Sequence, residues 1–182
     1  GRITVVVLGY DPATKFEGMA LVAGTENPLS VKLDLPDKKQ IVRKMSERRM
    51  MRKARRQRNC WRRPVRLNYR RRTGLLSPSQ GVIVGARLKV LGELFPLYPI
   101  LGVAREDSRF NHRRFRWGSN FTTMEQGKTK IRSFLEDRGA VVLEFDGTDT
   151  AKLRQEYGYS KINSKSADRF EAHCSDALTL AC

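Results

Sequence analysis

The chain of 182 residues is poor in acid, with 19 Asp and Glu against 36 Lys and Arg, and it holds only two histidines and three cysteines. Cys60, Cys174 and Cys182 have no paired spacing, which argues against a disulfide framework or a zinc ribbon and makes a reducing compartment the default. No apolar run approaches the length of a membrane span, no signal peptide opens the chain, and no internal repeat is visible. The length suits one domain with a real core. The chain starts on Gly rather than Met and stops at Cys182 within an apolar periodic run, so it reads as an excised or incomplete piece of a longer protein.

What is abundant is concentrated. From Lys38 to Arg72, seventeen Lys and Arg stand against one acid, Glu47, a net +16 out of +17 for the whole chain. Like charges side by side destabilise a compact state, so folding does not explain this density, whereas a nucleic-acid polyanion does. Lys38 to about Trp61 lacks Gly and Pro, is rich in helix formers, and follows Asp37 at an N-cap position. This predicts a rod of roughly 35 Å. Beyond Ile41, Val42 and Met45 its apolar stripe gives out, as expected of a helix clasped by something anionic. Arg outnumbers Lys, which suits forked contacts to phosphate. A disordered basic linker is the plainer alternative. Pro64 should end the helix and leave Val65 to Arg72 as an extended basic arm.

The flanking regions carry strand and helix patterns. Ile3 to Leu8, Gly18 to Ala23 and Leu29 to Leu35 read as three strands of an antiparallel meander, with Asn27 and Pro28 turning between the last two. Ser77, Pro78 and Ser79 open a helix that buries Ile83, Val84, Leu88, Leu91, Leu94 and Phe95 and ends at Pro96. Ile100 to Ala104 is a fourth strand, Asp107 to Asn120 a loop, and Thr122 with Glu125 a capping box before a helix that ends at Gly139. A fifth strand over Ala140 to Phe145, a short helix near Thr150 to Tyr157 and a last helix from about Ser166 follow. That last helix turns Phe170, Cys174, Ala177, Leu178 and Ala181 inward. A meander followed by helix-crossed parallel strands is the order of the α/β RNase H-like fold, with a mixed five-stranded sheet flanked by helices. The basic helix is inserted after the third strand. The organisation expected is residues 1–37, then the basic helix and arm over 38–72, then 73–182, forming one discontinuous domain.

This topology sets the ends of the first and fourth strands side by side, with the last helix across them. Asp11, Glu106 and Asp176 then meet, with His173 one turn from Asp176. Whether Glu106 or Asp107 serves is open, the strand alternation favouring Glu106. Carboxylates gathered without a local cation repel, and so call for Mg²⁺ or Mn²⁺, two ions able to hold a scissile phosphate. His173 could accept or orient the proton of the attacking water. Singly, each residue has a duller reading: a turn cap for Asp11, surface for Glu106, an exposed pair for His173 and Asp176.

Four stretches together resemble a known family. Leu8 to Lys15, with Gly18 and Ala20, resembles the first RuvC motif, and Arg48 to Arg58 continued by Trp61 to Asn68 looks like an arginine-rich bridge helix. Val103 to Asp107 resembles the second RuvC motif and Glu171 to Ala177 the third. This set in this order is similar to the IscB and IsrB proteins, transposon-encoded RNA-guided nucleases. The resemblance implies a prokaryotic, cytoplasmic ribonucleoprotein in which the bridge helix grips guide RNA and the RuvC site nicks the displaced DNA strand. Arg48, Arg49, Arg52, Arg55, Arg56, Arg58, Arg62, Arg63 and Arg66 would bind the RNA; Asp11, Glu106 and Asp176 would hold two Mg²⁺ ions. Between Asp107 and Glu171 there is no room for an HNH nuclease, which makes the IsrB-like, nicking type the closer match. Ala13 replaces the glycine usual after the Asp and Pro, and the family's terminal modules are missing from this chain. The alternatives are a non-catalytic RNA-binding module and a junction-resolving RuvC-like endonuclease.

Overall fold

The computed structural model describes residues 5–58, 76–107, 119–160 and 168–182. Its strands are β1 (Val6–Asp11), β2 (Phe16–Ala23), β3 (Glu26–Asp34), β4 (Ile100–Glu106) and β5 (Val141–Phe145), joined in one sheet ordered β3-β2-β1-β4-β5. The first three form an antiparallel meander; β4 runs parallel to β1, and β5 parallel to β4. The helices are α1 (Lys38–Gln57), α2 (Pro78–Leu97), α3 (Ser119–Glu136), α4 (Gly147–Glu156) and α5 (Phe170–Ala181).

Alternation along the central strands sorts two unlike faces. Leu8, Tyr10, Met19, Leu21 and Val103 point to one side, where α2 supplies Val84, Leu91 and Leu94, and α3 supplies Ile131 and Leu135. This is the aliphatic core, and its burial is the main source of stability. The other face is built of small residues. Gly9 pairs with Ala20, Asp11 with Gly18, and Gly9 also with Ala104. Over them lies α5, with Cys174, Ala177, Leu180 and Ala181 buried beneath it. The approach is so close that a Cβ on Gly9 would overlap the Ala177 carbonyl, and one on Gly18 the His173 carbonyl.

The element order agrees with that read from the sequence, but several boundaries move. β1 runs through Gly9 to Asp11 instead of stopping at Leu8, because Gly9 serves helix packing and makes no turn. The β2–β3 turn falls at Gly24 and Thr25, where Gly24 takes φ 66°, and Asn27 and Pro28 lie within β3. Proline is tolerated there since β3 is an edge strand. Pro96 sits in the last turn of α2, which closes one residue later. α3 runs from Ser119, so Thr122 falls within the helix and not at the N-cap position expected. α4 starts three residues early, at Gly147. Phe170 is 46 % exposed and does not turn inward.

α1 forms with Asp37 as its cap, the carboxylate accepting from the Lys39 N–H at 2.9 Å. It stops at Gln57, short of Trp61; no residue of it is buried, so backbone bonds and propensity alone hold its last turn. Arg62, Arg63, the extended arm over Val65 to Arg72 with Arg66 in it, and the loop over 108–118 lie outside the described residues.

If the two glycines set the distance between α5 and the sheet, Gly9→Ala lowers unfolding free energy by on the order of 3 kcal/mol. Gly85→Ala, where a Cβ meets nothing within 4 Å, raises it by up to about 1 kcal/mol. Urea unfolding of the two variants beside the parent chain measures both.

Candidate active site

Asp11 is the last residue of β1 and is 2 % exposed. It shares the α5 face with Gly9, two residues back, and faces Gly18 across the β1–β2 pair. Since the His173 backbone rests on Gly18, the close approach that seats α5 also brings His173 beside Asp11. His173 is buried, its ring tilted 46° against Phe16 at 5.2 Å between centroids. Lys15 and Lys32 stand over the Phe16 ring, and Lys32 also pairs with Asp168, whose carboxyl the Lys32 hydrogen bond holds below the usual range.

Tyr10 pairs with Arg105, so the next residues, Asp11 and Glu106, end neighbouring parallel strands on one face. A Cβ on Gly147 would stand 3.3 Å from the Glu106 Oε1, so that carboxylate lies against the first turn of α4. A helix start stabilises negative charge. Asp107 turns the other way. Its N–H donates to the Phe145 carbonyl at 2.8 Å, and its carboxylate pairs with Lys128 at 2.9 Å and Arg105 at 3.7 Å, on the α2 and α3 side. Of the two carboxylates left open by the sequence, Glu106 is the one on the face with Asp11.

Asp176, one turn beyond His173, is buried and accepts from the Arg154 Nη1 of α4 at 2.5 Å. The structure thus gathers Asp11, Glu106, His173 and Asp176 at one end of one face, but not into a shared shell. Among the described residues no three His, Cys, Asp or Glu side chains are close enough to hold one ion. Like-charge repulsion is eased by separate partners, Arg154 for Asp176 and the α4 start for Glu106. Chemically the donors suit a hard divalent cation, being carboxylate oxygens with one imidazole nearby.

Sequence reasoning missed Arg154, and also a buried network beneath the site. Tyr10 donates to the Glu17 Oε2 at 3.0 Å, while Arg87 of α2 pairs with Glu17 and donates to the Ala13 carbonyl at 3.0 Å. This ties the turn after Asp11 to the helix behind it. Burial pushes the Tyr10 hydroxyl well up and raises Glu17 despite the adjacent guanidinium. The only advance signal was a Glu inside an otherwise apolar strand, Phe16–Ala23.

A mixed sheet ordered β3-β2-β1-β4-β5, with carboxylates at the ends of its first and fourth strands and helices on both faces, is the RNase H-like fold. Among the solved structures that share the fold are two of RuvC. Thermus thermophilus RuvC in complex with Holliday junction substrate superposes with a TM-score of 0.54 at 14 % identity, covering 97 % of this chain and 90 % of that one. A second T. thermophilus RuvC structure gives 0.51 at 14 %, with 97 % and 91 % covered. By sequence the chain belongs to the RRXRR protein family, whose profile matches residues 2–139. No curated protein matches it. No helix among the described residues is long and apolar enough to cross a membrane.

Arg87→Met strands the Glu17 carboxylate and is expected to cost about 3–5 kcal/mol at neutral pH. Its folded-state pKa then rises further above the unfolded value, so the variant loses stability as pH climbs from the ordinary glutamate range toward the raised one. The deficit shrinks again in acid. Glu17→Gln with Arg87→Met removes that pH dependence; thermal melts from pH 4 to 8 test it.

Proposed function

We propose that this chain is the core of a divalent-metal-dependent endodeoxyribonuclease, guided by RNA and cutting the displaced strand of its target DNA. The observation that carries the reading is the acidic end of the α5 face, where Asp11, Glu106 and Asp176 stand with His173 at the meeting of β1, β4 and α5. Asp11, Glu106 and Asp176 would hold the metal, whose part is to acidify an attacking water and offset phosphate charge. The buried His173 accepts or orients the proton of that water. Arg154 holds Asp176 in place before the substrate arrives and is a cation within reach of a phosphate afterwards. In this reading Glu106→Gln lowers cleavage of single-stranded DNA by at least about a hundredfold, on the scale of losing a group that acts on the reacting atoms. Asp107→Asn, across the strand, leaves the rate within a few fold. Equal losses in both variants contradict the assignment.

RNA guidance is supported by α1. Arg48, Arg49, Arg52, Arg55 and Arg56, with Arg58 at the C-cap, lie on an exposed helix with no buried residue, and the intrahelical Arg43–Glu47 pair at 2.9 Å offsets little of its charge. Such a surface is stabilised when polyanion surrounds it. The absence of space for a second nuclease between Asp107 and Glu171 favours a nickase of the IsrB-like type. Replacing Arg48, Arg49, Arg52 and Arg55 by Ala weakens RNA binding and flattens its salt dependence by roughly 0.7 to 0.9 log units per lost phosphate contact. Cleavage of single-stranded DNA survives that change. A second reading, a junction-resolving endonuclease, is favoured by the fold shared with RuvC. It requires a dimer that cuts four-way junctions without RNA, and sedimentation with a junction substrate separates the two.

A further inference from the structure

The chain leaves α4 through a Schellman turn. Tyr157 closes the helix, Gly158 takes φ 71°, and the Tyr159 N–H donates back to the Arg154 carbonyl at 3.0 Å while the Gly158 N–H donates to the Gln155 carbonyl at 3.1 Å. This turn sets Tyr157 and Tyr159 side by side, with ring centroids 6.4 Å apart and a tilt of 41° between planes. Both rings stay open to solvent, 47 % and 39 % exposed. One exposed aromatic is ordinary, but two held together by a glycine turn form a surface. Their exposed neighbours, Gln155, Glu156, Gly158 and Ser160, are polar or small, so the apolar area ends with the rings and is too small for a protein interface.

The charges around the rings cancel. Within α4, Lys152 lies 4.0 Å from Asp149, Arg154 is engaged by Asp176, and Glu156 stands beside Tyr157. At the start of α5, which packs against α4, Asp168 and Glu171 face Arg169, with Lys32 on Asp168. Phosphate therefore finds no cationic surplus among these groups, and what the surface offers is aromatic faces. Bases of a single strand stack on such faces whatever their sequence. The rings also stand close to the acids. The first turn of α4 lies against Glu106, Arg154 reaches Asp176, and the Tyr159 backbone is bonded to Arg154, so about one arginine's length separates the rings from the acidic end. A stacked strand rises about 3.4 Å per nucleotide, and that length corresponds to about two or three nucleotides.

We infer that Tyr157 and Tyr159 form a stacking platform for the bases of the DNA strand held at the acidic end, a few nucleotides from the bond to be cut. The inference rests on the proposed nuclease reading for the arrival of a single strand there. Contact between rings and bases does not depend on cleavage, so the two fail separately.

The test uses the whole chain with Asp11→Ala, so that the strand is not cut, and a single-stranded oligodeoxynucleotide carrying 5-iodouracil in place of thymine. Inorganic polyphosphate is added as a competitor that has the charge of a strand without its bases. Irradiation and peptide mapping should find the cross-link on Tyr157 or Tyr159. With Asp11 restored, the pair Tyr157→Ala and Tyr159→Ala should raise KM for cleavage of single-stranded DNA by about five- to a hundredfold, with kcat within about twofold and an unchanged melting temperature. The pair Tyr157→Phe and Tyr159→Phe, which keeps the ring faces, should restore the parent KM. Cross-links confined to α1 overturn the inference, as do an unchanged KM in the Ala pair or a Phe pair as impaired as the Ala pair. If the parent chain does not cut, the cross-link map decides alone. Cross-links on the two rings in a chain that never cuts reject the catalytic reading and spare the platform.

Discussion

The backbone of α5 lies directly on Gly9 and Gly18, and the candidate site exists only because it does. A side chain at either position would push the helix off the sheet by the thickness of a methyl group or more. His173 and Asp176 ride on that helix, so their distance from Asp11 and Glu106 is set by two missing Cβ atoms. Protein interiors transmit such displacements because they are close-packed. A pair of glycines one strand apart is therefore as much a part of the site as the carboxylates are.

The second constraint is electrostatic, and the fold meets it by separating charge into compartments. About half of the basic excess, +9 of the +17, is carried on α1, which has no buried residue and so keeps its charges solvated. Acids of the α5 face are spaced apart, Asp176 paired with Arg154 and Glu106 set against the start of α4. Beneath them, the Tyr10, Glu17 and Arg87 network keeps a carboxylate fully buried, which is tolerable only because two donors meet it. That network reaches the Ala13 carbonyl, so the turn following Asp11 is anchored from the core side. Arg105 acts likewise for β4, holding Glu144 and approaching Asp107 on the face away from α5.

Much of this was legible in the residue order, for reasons that also explain what was not. The strands and helices announce themselves through periods of two and 3.6, and the sequence of elements then fixes which strand ends are neighbours. Hence Asp11, Glu106, His173 and Asp176 could be named together before any coordinates. Gly9 misled, since glycine after an apolar run reads as a turn when its actual service is to a helix 168 residues away at Ala177. Pro28 misled in the same manner, since an edge strand excuses a residue that a central one would not. Arg154 and Arg87 left no signal at all. Their partners lie 22 and 70 residues distant, and a long-range ion pair has no period to betray it. The carboxylate motifs carry no matching cation of their own, and the one that meets Asp176 comes from α4.

The central claim is that the acidic end of the α5 face cuts DNA. Its most direct test is cleavage of end-labelled single-stranded DNA by the purified chain with Mg²⁺ and with EDTA, beside Asp11→Ala. Metal-dependent cutting that vanishes in the variant, while RNA affinity stays the same, is the result predicted. Cutting that persists in Asp11→Ala, or no cutting by the parent chain with either Mg²⁺ or Mn²⁺, contradicts the claim and leaves a basic RNA-binding module on a RuvC-like fold.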